Sequence, residues 1–226
     1  MRVLVVTAVA AEAAAAVTDV TAREVPLPGG YVLTRTPAYD VLVGGVGPAA
    51  AAAATATALA VADTPYGLVV SAGIGGGFPP HAPVGSLVVS DSVVAADLGA
   101  ETPDGYLPVD ALGFGRTVHP SPAGLSALIA EAVGAVHAPV LTVSTVTGST
   151  ARAAELAARH PRAAAEAMEG FGVAEAAAAH GVPVVEIRAV SNAVGPRDRA
   201  AWRIGDALDA LRRAFRRLVP VLQEQP

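Results

Sequence analysis

The chain has 226 residues, of which 53 % are hydrophobic and 15 % charged, and its formal net charge is −5. The apolar content excludes a disordered chain, and the negative charge argues against a nucleic-acid partner, because phosphate neutralisation needs a basic face. The absence of cysteine excludes disulfide scaffolds, cysteine nucleophiles and thiolate metal sites. The composition therefore predicts a compact, soluble protein.

Short β-branched runs alternate with alanine-rich runs in the first half of the chain. This alternation predicts strands separated by helices. In chain order, the predicted elements are strand Arg2–Ala8, helix Ala10–Val20, an antiparallel pair Tyr31–Thr36 and Tyr39–Val43, helix Pro48–Ala62, strand Gly67–Ala72 and an extended segment Val84–Ala95.

The second half begins with a segment rich in glycine and proline, Gly99–Pro122, which predicts loops. Ser121 is a candidate cap for the helix that follows. In chain order, the later predicted elements are helix Ala123–Ala135, strand Pro139–Val146, helix Ser149–His160, a segment Met168–Ala179, strand Val182–Ser191 and helix Arg199–Leu218.

Continuous apolar strands separated by helices predict an α/β fold. The central sheet should be mixed but mainly parallel, with helices on both faces. We find no repeat, linker or composition break, so residues 1–226 are expected to form a single domain. In such sheets ligands bind at the carboxyl ends of the strands. The site is therefore expected among the strand exits, which are Glu12, Gly44–Pro48, Gly73–Gly77, Val146–Ser149 and Ser191–Gly195.

Two stretches resemble targeting or membrane segments. Met1–Ala16 carries an apolar run after Arg2, but Glu12 interrupts this run and no clear cleavage site follows. Val41–Ala62 has no charge, yet its glycines and alanines are typical of a buried helix behind a turn. We therefore expect a cytoplasmic protein without a membrane partner.

Several charged or polar residues stand in apolar surroundings near the strand exits. A carboxylate at Glu12 suits general acid/base work, although it is equally a normal residue for the first turn of a helix. Glu169 follows Met168 in a segment with few charges, and it is either a site residue or a helix-start residue. Arg188 shares a strand face with Glu186, which permits an ion pair or a ligand contact. Asn192 ends that strand, where Asn is often only a cap.

Two glycine patterns permit more than one interpretation. Gly73–Gly77 resembles a phosphate- or sugar-binding loop, but tightly packed turns have the same composition. Gly45-x-Gly47-x-x-Ala50 matches the dinucleotide fingerprint in form, whereas Pro48 removes an N–H group that would bind the pyrophosphate. The five histidines show no ligand spacing, so we expect no metal ion and no cofactor.

The order of the motifs is more specific than any one of them. Glu12 follows the first strand, and then come Gly-Val-Gly-Pro, Ala-Gly-Ile-Gly-Gly, Val-Gly-Ser-Leu-Val-Val-Ser-Asp, Ala-Met-Glu-Gly and Ile-Arg-Ala-Val-Ser-Asn. From Arg2 to about Val219 this order resembles the nucleoside phosphorylase/nucleosidase superfamily. Within it, the chain is similar to the methylthioadenosine/S-adenosylhomocysteine nucleosidases, and it resembles the futalosine hydrolases of the alternative menaquinone pathway more closely.

The resemblance implies roles for individual residues. The counterpart of Glu12 activates the water, and the counterpart of Arg188 helps to hold it. The counterpart of Glu169 binds the ribose hydroxyls, with Met168 under the sugar. The remaining residues implied to bind substrate are Gly73, Ile74 and Gly75, then Thr145 and Val146 beside the base, and Asn192 at N7 of the base.

Two positions depart from the adenine-specific nucleosidases. Asn192 stands where those enzymes have Asp; an amide cannot give up a proton, but it can donate to an oxo group. The resemblance therefore implies a 6-oxopurine leaving group, hypoxanthine. Ile74 stands where those relatives have a serine near the water, so the nucleophile depends more fully on Glu12 and Arg188.

Other functions remain alternatives to nucleoside hydrolysis. Phosphorolysis needs cationic donors, but Thr7–Glu12 offers no Arg and includes a carboxylate. The hypothesis of a nucleotide-dependent oxidoreductase is supported by the Gly45–Ala50 pattern alone. The hypothesis of a non-catalytic binding module is supported by the absence of Asp at position 192. The resemblance implies a purine nucleoside as the ligand and a homo-oligomer, with a homodimer as the minimum. Within the Asp104–Pro122 loop, Arg116 or His119 is a candidate partner for a substrate carboxylate.

Overall fold

The computed structural model describes residues 1–17 and 21–223, in which strands and helices alternate. The strands are β1 (Val3–Thr7), β2 (Arg23–Pro26), β3 (Val32–Arg35), β4 (Tyr39–Val43), β5 (Leu68–Gly77), β6 (Leu87–Ala95), β7 (Gly99–Thr102), β8 (Gly105–Pro108), β9 (Val118–Pro120), β10 (Val136–Thr142), β11 (Ala165–Ala167) and β12 (Val184–Ala193). The helices are α1 (Ala10–Ala16), α2 (Pro48–Ala60), α3 (Ala123–Val133), α4 (Thr150–Arg159), α5 (Gly170–Ala179) and α6 (Ile204–Gln223).

All strands except the β7–β8 hairpin belong to one central sheet. Its order is β11-β10-β6-β12-β5-β1-β4-β3-β2, and β9 pairs with β6. Parallel pairs connect β4, β1, β5 and β12 on one side and β6, β10 and β11 on the other, while β6 and β12 run antiparallel. The predicted mixed, mainly parallel sheet is confirmed. Because β11 also pairs with β5, the strands from β11 to β5 close into a ring.

Helices cover both faces of the sheet, as the continuous apolar strands predict. Val5 and Val70 are in a core cluster with residues of α1, α3 and α6. Leu4 and Val69, one position earlier on the same strands, pack with residues of α2 and α5. Alternate side chains of a strand point to opposite faces, so each of these strands must be apolar at every position.

Several predicted boundaries are wrong. The glycines Gly73–Gly77 are not a loop after a strand but the second half of β5. The segment Gly99–Pro122 contains β7, β8 and β9, and Ser121 does not cap α3; its hydroxyl group bonds to Ser90 instead, at 2.8 Å. The strand predicted at Pro139–Val146 is β10, which starts and ends earlier because the chain leaves the sheet after Thr142.

Helix ends differ less from the predictions. α1 ends at Ala16, and the last predicted positions of this helix, 18–20, lie outside the described residues. The C-terminal helix begins at Ile204 because Arg199–Ala201 forms a separate 3₁₀ turn that ends at the extended backbone of Trp202. No helix in the described part of the chain is long and apolar enough to cross a membrane.

Candidate active site

A cavity of about 260 Å³ lies where the carboxyl ends of β1, β5, β11 and β12 come together. This is the place that the sheet topology predicts for a ligand. Its walls include side chains from α1, from the end of β11 and from the end of β12. The lining residues include Glu12, Val46, Ile74, Gly75, Gly76, Val146, Thr147, Glu166, Met168, Glu169, Asn192 and Trp202.

Glu12 is buried in the first turn of α1, and its carboxylate is held by backbone N–H groups. The Oε2 atom accepts from Ala8 at 3.0 Å and from Val9 at 3.2 Å, and Oε1 accepts from Ile74 at 2.9 Å. The helix-start interpretation is confirmed, and Glu12 also lines the cavity, whereas its role as a general acid or base stays a prediction. Ile74 contributes its N–H group here and not only its side chain.

Position 73 of β5 has no room for a side chain, which explains why it is glycine. A Cβ atom at this position would lie 2.5 Å from Oε1 of Glu12 and 2.7 Å from Nη1 of Arg188. Gly73 is not among the residues that line the cavity. It therefore lies beneath the two charged side chains, and its missing side chain leaves the space that they occupy.

Arg188 is 1 % exposed and lies behind the cavity wall. Its Nε donates to Oε1 of Glu186 at 2.7 Å, and its Nη2 is 3.2 Å from Oε2 of Glu169. The guanidinium also donates to the carbonyl group of Ile74 and the hydroxyl group of Ser71. The ion pair predicted from strand alternation is confirmed, and the same guanidinium also contacts a cavity carboxylate.

Burial and neighbouring charges have opposite effects on this group of ionisable side chains. Burial lowers the pKa of Arg188, but the carboxylates of Glu186, Glu169 and Glu12 outweigh it and the pKa is raised. Burial raises the pKa of Glu186, and Arg188 opposes that shift. One Oε atom of Glu186 has no hydrogen-bond partner, and a Cβ atom at Gly170 would lie 2.0 Å from it. The pair is closely packed and inaccessible to ligand.

Glu169 lies at the start of α5, where β11 ends. Its Oε1 accepts from the backbone N–H of Gly47 at 3.2 Å, and its Oε2 accepts from Met168 at 3.3 Å. Within the glycine pattern Gly45–Ala50, Gly47 therefore donates a hydrogen bond to a carboxylate of the cavity. Gly47 has a φ of 90°, which glycine adopts readily, and this conformation presents its N–H to the carboxylate. Glu169 and Met168 both line the cavity.

Asn192 also lines the cavity, next to a bulge in β12. Its Oδ1 accepts from the hydroxyl group of Ser191 at 2.8 Å, and its Nδ2 donates to the carbonyl group of Ala193 at 3.1 Å. These bonds orient the amide and leave one N–H free to donate, because a side-chain amide has two.

The structure brings most of the predicted substrate-binding residues together. Ile74, Gly75 and Val146 line the cavity, whereas Thr145 is exposed and lies outside its lining. Arg116 and His119 face Glu175, with His119 Nε2 at 2.8 Å from the carboxylate, and neither lines the cavity. Among the described residues, no group of three or more His, Asp or Glu side chains is placed to hold a metal ion.

Sequence reasoning did not single out the lining residues Glu166 and Trp202, whereas Thr147 lies within the predicted strand exit Val146–Ser149. Glu166 is buried, and burial raises the pKa of its carboxyl group while two bonds from Thr147 oppose the shift. A charged residue in the nearly uncharged run before Met168 was a signal for Glu166. Trp202, the only tryptophan, had no such signal, because its position depends on the 3₁₀ turn before α6.

Comparisons with known proteins show the family of this chain. The family model of the phosphorylase superfamily matches residues 2–222. A futalosine hydrolase from Streptomyces coelicolor is 62 % identical, with 99 % of this chain and 97 % of the relative covered. A futalosine hydrolase from Acidothermus cellulolyticus is 47 % identical, with 94 % of this chain and 88 % of the relative covered.

Solved structures show the same fold. A 5′-methylthioadenosine/S-adenosylhomocysteine nucleosidase from Colwellia psychrerythraea, in complex with adenine, has a TM-score of 0.84 at 23 % identity, with 99 % and 95 % of the two chains covered. The corresponding nucleosidase from Neisseria meningitidis, with methylthio-immucillin-A, has a TM-score of 0.82 at 19 % identity, with 99 % of each chain covered. The chain therefore belongs to the phosphorylase superfamily and, within it, to the family of the futalosine hydrolases.

Proposed function

We propose that this protein hydrolyses the N-glycosidic bond of futalosine and releases hypoxanthine, in the alternative menaquinone pathway. The observation that carries the proposal is the buried Glu12 carboxylate, held by three backbone N–H groups at the cavity wall of a chain with 62 % identity to a futalosine hydrolase. A carboxylate fixed in this way suits a general base. The backbone N–H groups already hold it in one orientation, so the site does not have to reorganise when the carboxylate takes a proton from water.

Hydrolysis of such a bond develops positive charge on the sugar. In our proposal Glu12 takes a proton from the attacking water, and Glu169 binds the 2′-hydroxyl group and stabilises the growing charge. Met168 lies beside Glu169 in the cavity wall and forms the apolar floor under the ribose. Arg188 holds Glu169 through the 3.2 Å contact, so it acts behind the substrate-binding surface.

The base end of the cavity is assigned to Asn192, Val146 and Gly75. The free N–H of the Asn192 amide donates to N7 or O6 of the purine, which stabilises the departing hypoxanthine. Val146 is 46 % exposed and lines the cavity, so it offers an apolar contact for the ring. Thr145 does not line the cavity, and its part in binding the base is limited to its place next to Val146 in the same loop.

Phosphorolysis is the competing reaction within the superfamily. The described residues that line the cavity include Glu12, Glu166 and Glu169 but no Arg, Lys or His. A phosphate ion would therefore meet three carboxylates without a lining cation, and like charges repel. Hydrolysis needs only water and is the reaction that this lining favours.

The deciding experiment uses futalosine, inosine and methylthioadenosine, each with and without inorganic phosphate. Release of hypoxanthine from futalosine at the same rate with and without phosphate is the expected result. Release that requires phosphate identifies a phosphorylase, and absence of turnover on all three nucleosides identifies a binding module. Preferred release of adenine from methylthioadenosine identifies an adenine nucleosidase.

Replacing Glu169 with Gln tests the assignment of the ribose end. The amide lacks the charge that is matched to the 2′-hydroxyl group and to Arg188, and a hydrogen bond to a charged group contributes about 1.5–3 kcal/mol. The expected result is a loss of roughly 10- to 150-fold in kcat/KM on the ribonucleoside and a much smaller loss on its 2′-deoxy analogue. Equal losses on both substrates contradict the assignment.

Replacing Asn192 with Asp tests the base end. A protonated Asp donates to N7 while its other oxygen accepts from a 6-amino group, so the preference should move from hypoxanthine toward adenine nucleosides. The mismatch of a buried polar pair costs about 1–3 kcal/mol, or roughly 5- to 150-fold in specificity. The measurement is kcat/KM for the 6-oxo and 6-amino nucleosides near pH 6 and pH 8. If the ratio of kcat/KM for the 6-oxo and 6-amino nucleosides is unchanged at both pH values, Asn192 is only a strand-end cap.

We also propose that residues 1–226 form one domain that acts as a cytoplasmic homo-oligomer. The cysteine-free sequence suits a reducing compartment, although it does not require one. Val9 and Val46 line the cavity and are 42 % and 57 % exposed, so the cavity mouth offers apolar area to a second copy.

A further inference from the structure

Glu166 is a buried carboxylate in the cavity wall that the proposed reaction does not yet use. It is 4 % exposed and lies in the middle of β11. Its Oε1 accepts from the backbone N–H of Thr147 at 2.9 Å, and its Oε2 accepts from the hydroxyl group of the same residue. Each carboxylate oxygen has two lone pairs, so each keeps one acceptor site after these bonds.

The register of the sheet places Glu166 and Asn192 on the two sides of one residue of β5. Glu166 on β11 and Asn192 on β12 are both Cα partners of Gly76 on β5, one on each side of it. Both side chains line the same cavity. A Cβ atom at Gly76 would lie 2.9 Å from Cγ2 of Val194 and 3.4 Å from Nδ2 of Asn192, so the missing side chain leaves room for Val194 and the Asn192 amide at the cavity wall. A ligand group bound by Asn192 is therefore within the part of the cavity that Glu166 faces.

We infer that Glu166 is a specificity-determining residue whose carboxylate accepts a hydrogen bond from N1–H of a 6-oxopurine. This inference rests on the proposed function, in which the leaving group is hypoxanthine. Hypoxanthine carries a proton on N1, whereas adenine presents a lone pair at the same atom. A carboxylate can bind the first and repels the second, so Glu166 and Asn192 together distinguish the two bases at different atoms.

The two hydrogen bonds from Thr147 suggest a simpler structural role for Glu166. In that role the carboxylate only holds the loop after β10 against β11. That role needs acceptor oxygens but no specific base, so its loss would affect all substrates alike. The specificity role predicts a change in the ratio of two substrates. The two roles therefore differ in what they do to the preference for the 6-oxo nucleoside over the 6-amino nucleoside.

The test compares Glu166→Gln with two controls. Glu131→Gln changes an exposed Glu of α3 in the same way, and Thr147→Val removes one loop bond but keeps the carboxylate. In Glu166→Gln, kcat/KM for futalosine is expected to fall and that for its 6-amino analogue to rise, because the amide donates to N1 of adenine. The ratio should move by roughly 10- to 100-fold. Thr147→Val should change both substrates by one common factor, and Glu131→Gln should change neither.

Binding of the free bases keeps this test separate from the test of hydrolysis. Calorimetric titration of the wild type and of Glu166→Gln with hypoxanthine and with adenine should show the same reversal of preference, whether or not futalosine is cleaved. If the wild type cleaves futalosine but Glu166→Gln keeps the wild-type base preference, the inference on Glu166 is overturned and the proposed function is not. If Glu166→Gln does not fold, equal binding of hypoxanthine and 1-methylhypoxanthine to the wild type overturns it, because the methyl group replaces the N1 proton.

Discussion

Replacement of Glu12 with Gln is expected to lower kcat by about 10²–10⁴-fold, which is the usual loss for a missing general base. The amide has the same size as the carboxylate but cannot take a proton from water. In addition, all three N–H donors that hold Glu12 need an acceptor, and the amide offers only one oxygen, so its NH₂ group meets at least one N–H. The measurement is steady-state hydrolysis of futalosine.

Folding and binding must be preserved for this result to identify a base. Thermal unfolding should remain cooperative, with a loss of about 1–3 kcal/mol for the N–H group that loses its acceptor. Calorimetric binding of hypoxanthine should stay close to the wild type, because the proposed base end of the cavity does not contain Glu12. Glu131→Gln again serves as the matched exposed control and should keep full activity. A Glu12→Gln variant with more than about a tenth of the wild-type kcat removes Glu12 from the mechanism, since general bases contribute at least about 10²-fold.

Replacement of Arg188 with Met is expected to cost about 3–5 kcal/mol of unfolding free energy. The change leaves Glu186, which is fully buried, without its charge partner at 2.7 Å. It also removes the cation that holds Glu169. Breaking one side of a buried ion pair is more costly than replacing both sides, because an uncompensated charge stays in the interior. Urea-induced unfolding measures the loss.

The double variant Arg188→Met with Glu186→Leu separates charge from packing. It should recover most of the stability that Arg188→Met loses, because Glu186 no longer leaves an uncompensated charge in the interior, while Glu169 still lacks its cation. If the losses of the two single variants simply add within about 0.5 kcal/mol, the two side chains are not coupled.

The pH dependence of the Arg188→Met loss has a definite sign. Burial raises the pKa of Glu186 above its ordinary value of 4.5, and Arg188 lowers it, so removal of Arg188 raises this pKa further. The folded state then keeps a proton that the unfolded state releases, and its stability falls as the pH rises above 4.5. The loss in Arg188→Met should therefore be smaller near pH 4 than near pH 7.

The sequence by itself determined the fold class and most of the candidate site. Strands that are apolar at every position can only be buried on both faces, so a sheet with helices on both sides follows from local pattern. Glu12 and Asn192 were predicted from their places at strand exits, because the carboxyl ends of parallel strands meet at one edge. Glu169 was predicted because it stands in a segment with few charges. The resemblance added their roles, and the structure places all three around one cavity.

The tertiary structure decided how these residues are held and which others join them. Gly73–Gly77 has a composition typical of a loop, but pairing with β12 makes it a strand, and only the packed structure shows that Gly73 leaves room for Glu12 and Arg188. The bond from Gly47 to Glu169 joins residues 122 positions apart, and strand register places Glu166 and Asn192 on the two sides of Gly76. Such contacts depend on how distant segments pair, and local sequence patterns carry no information on that pairing.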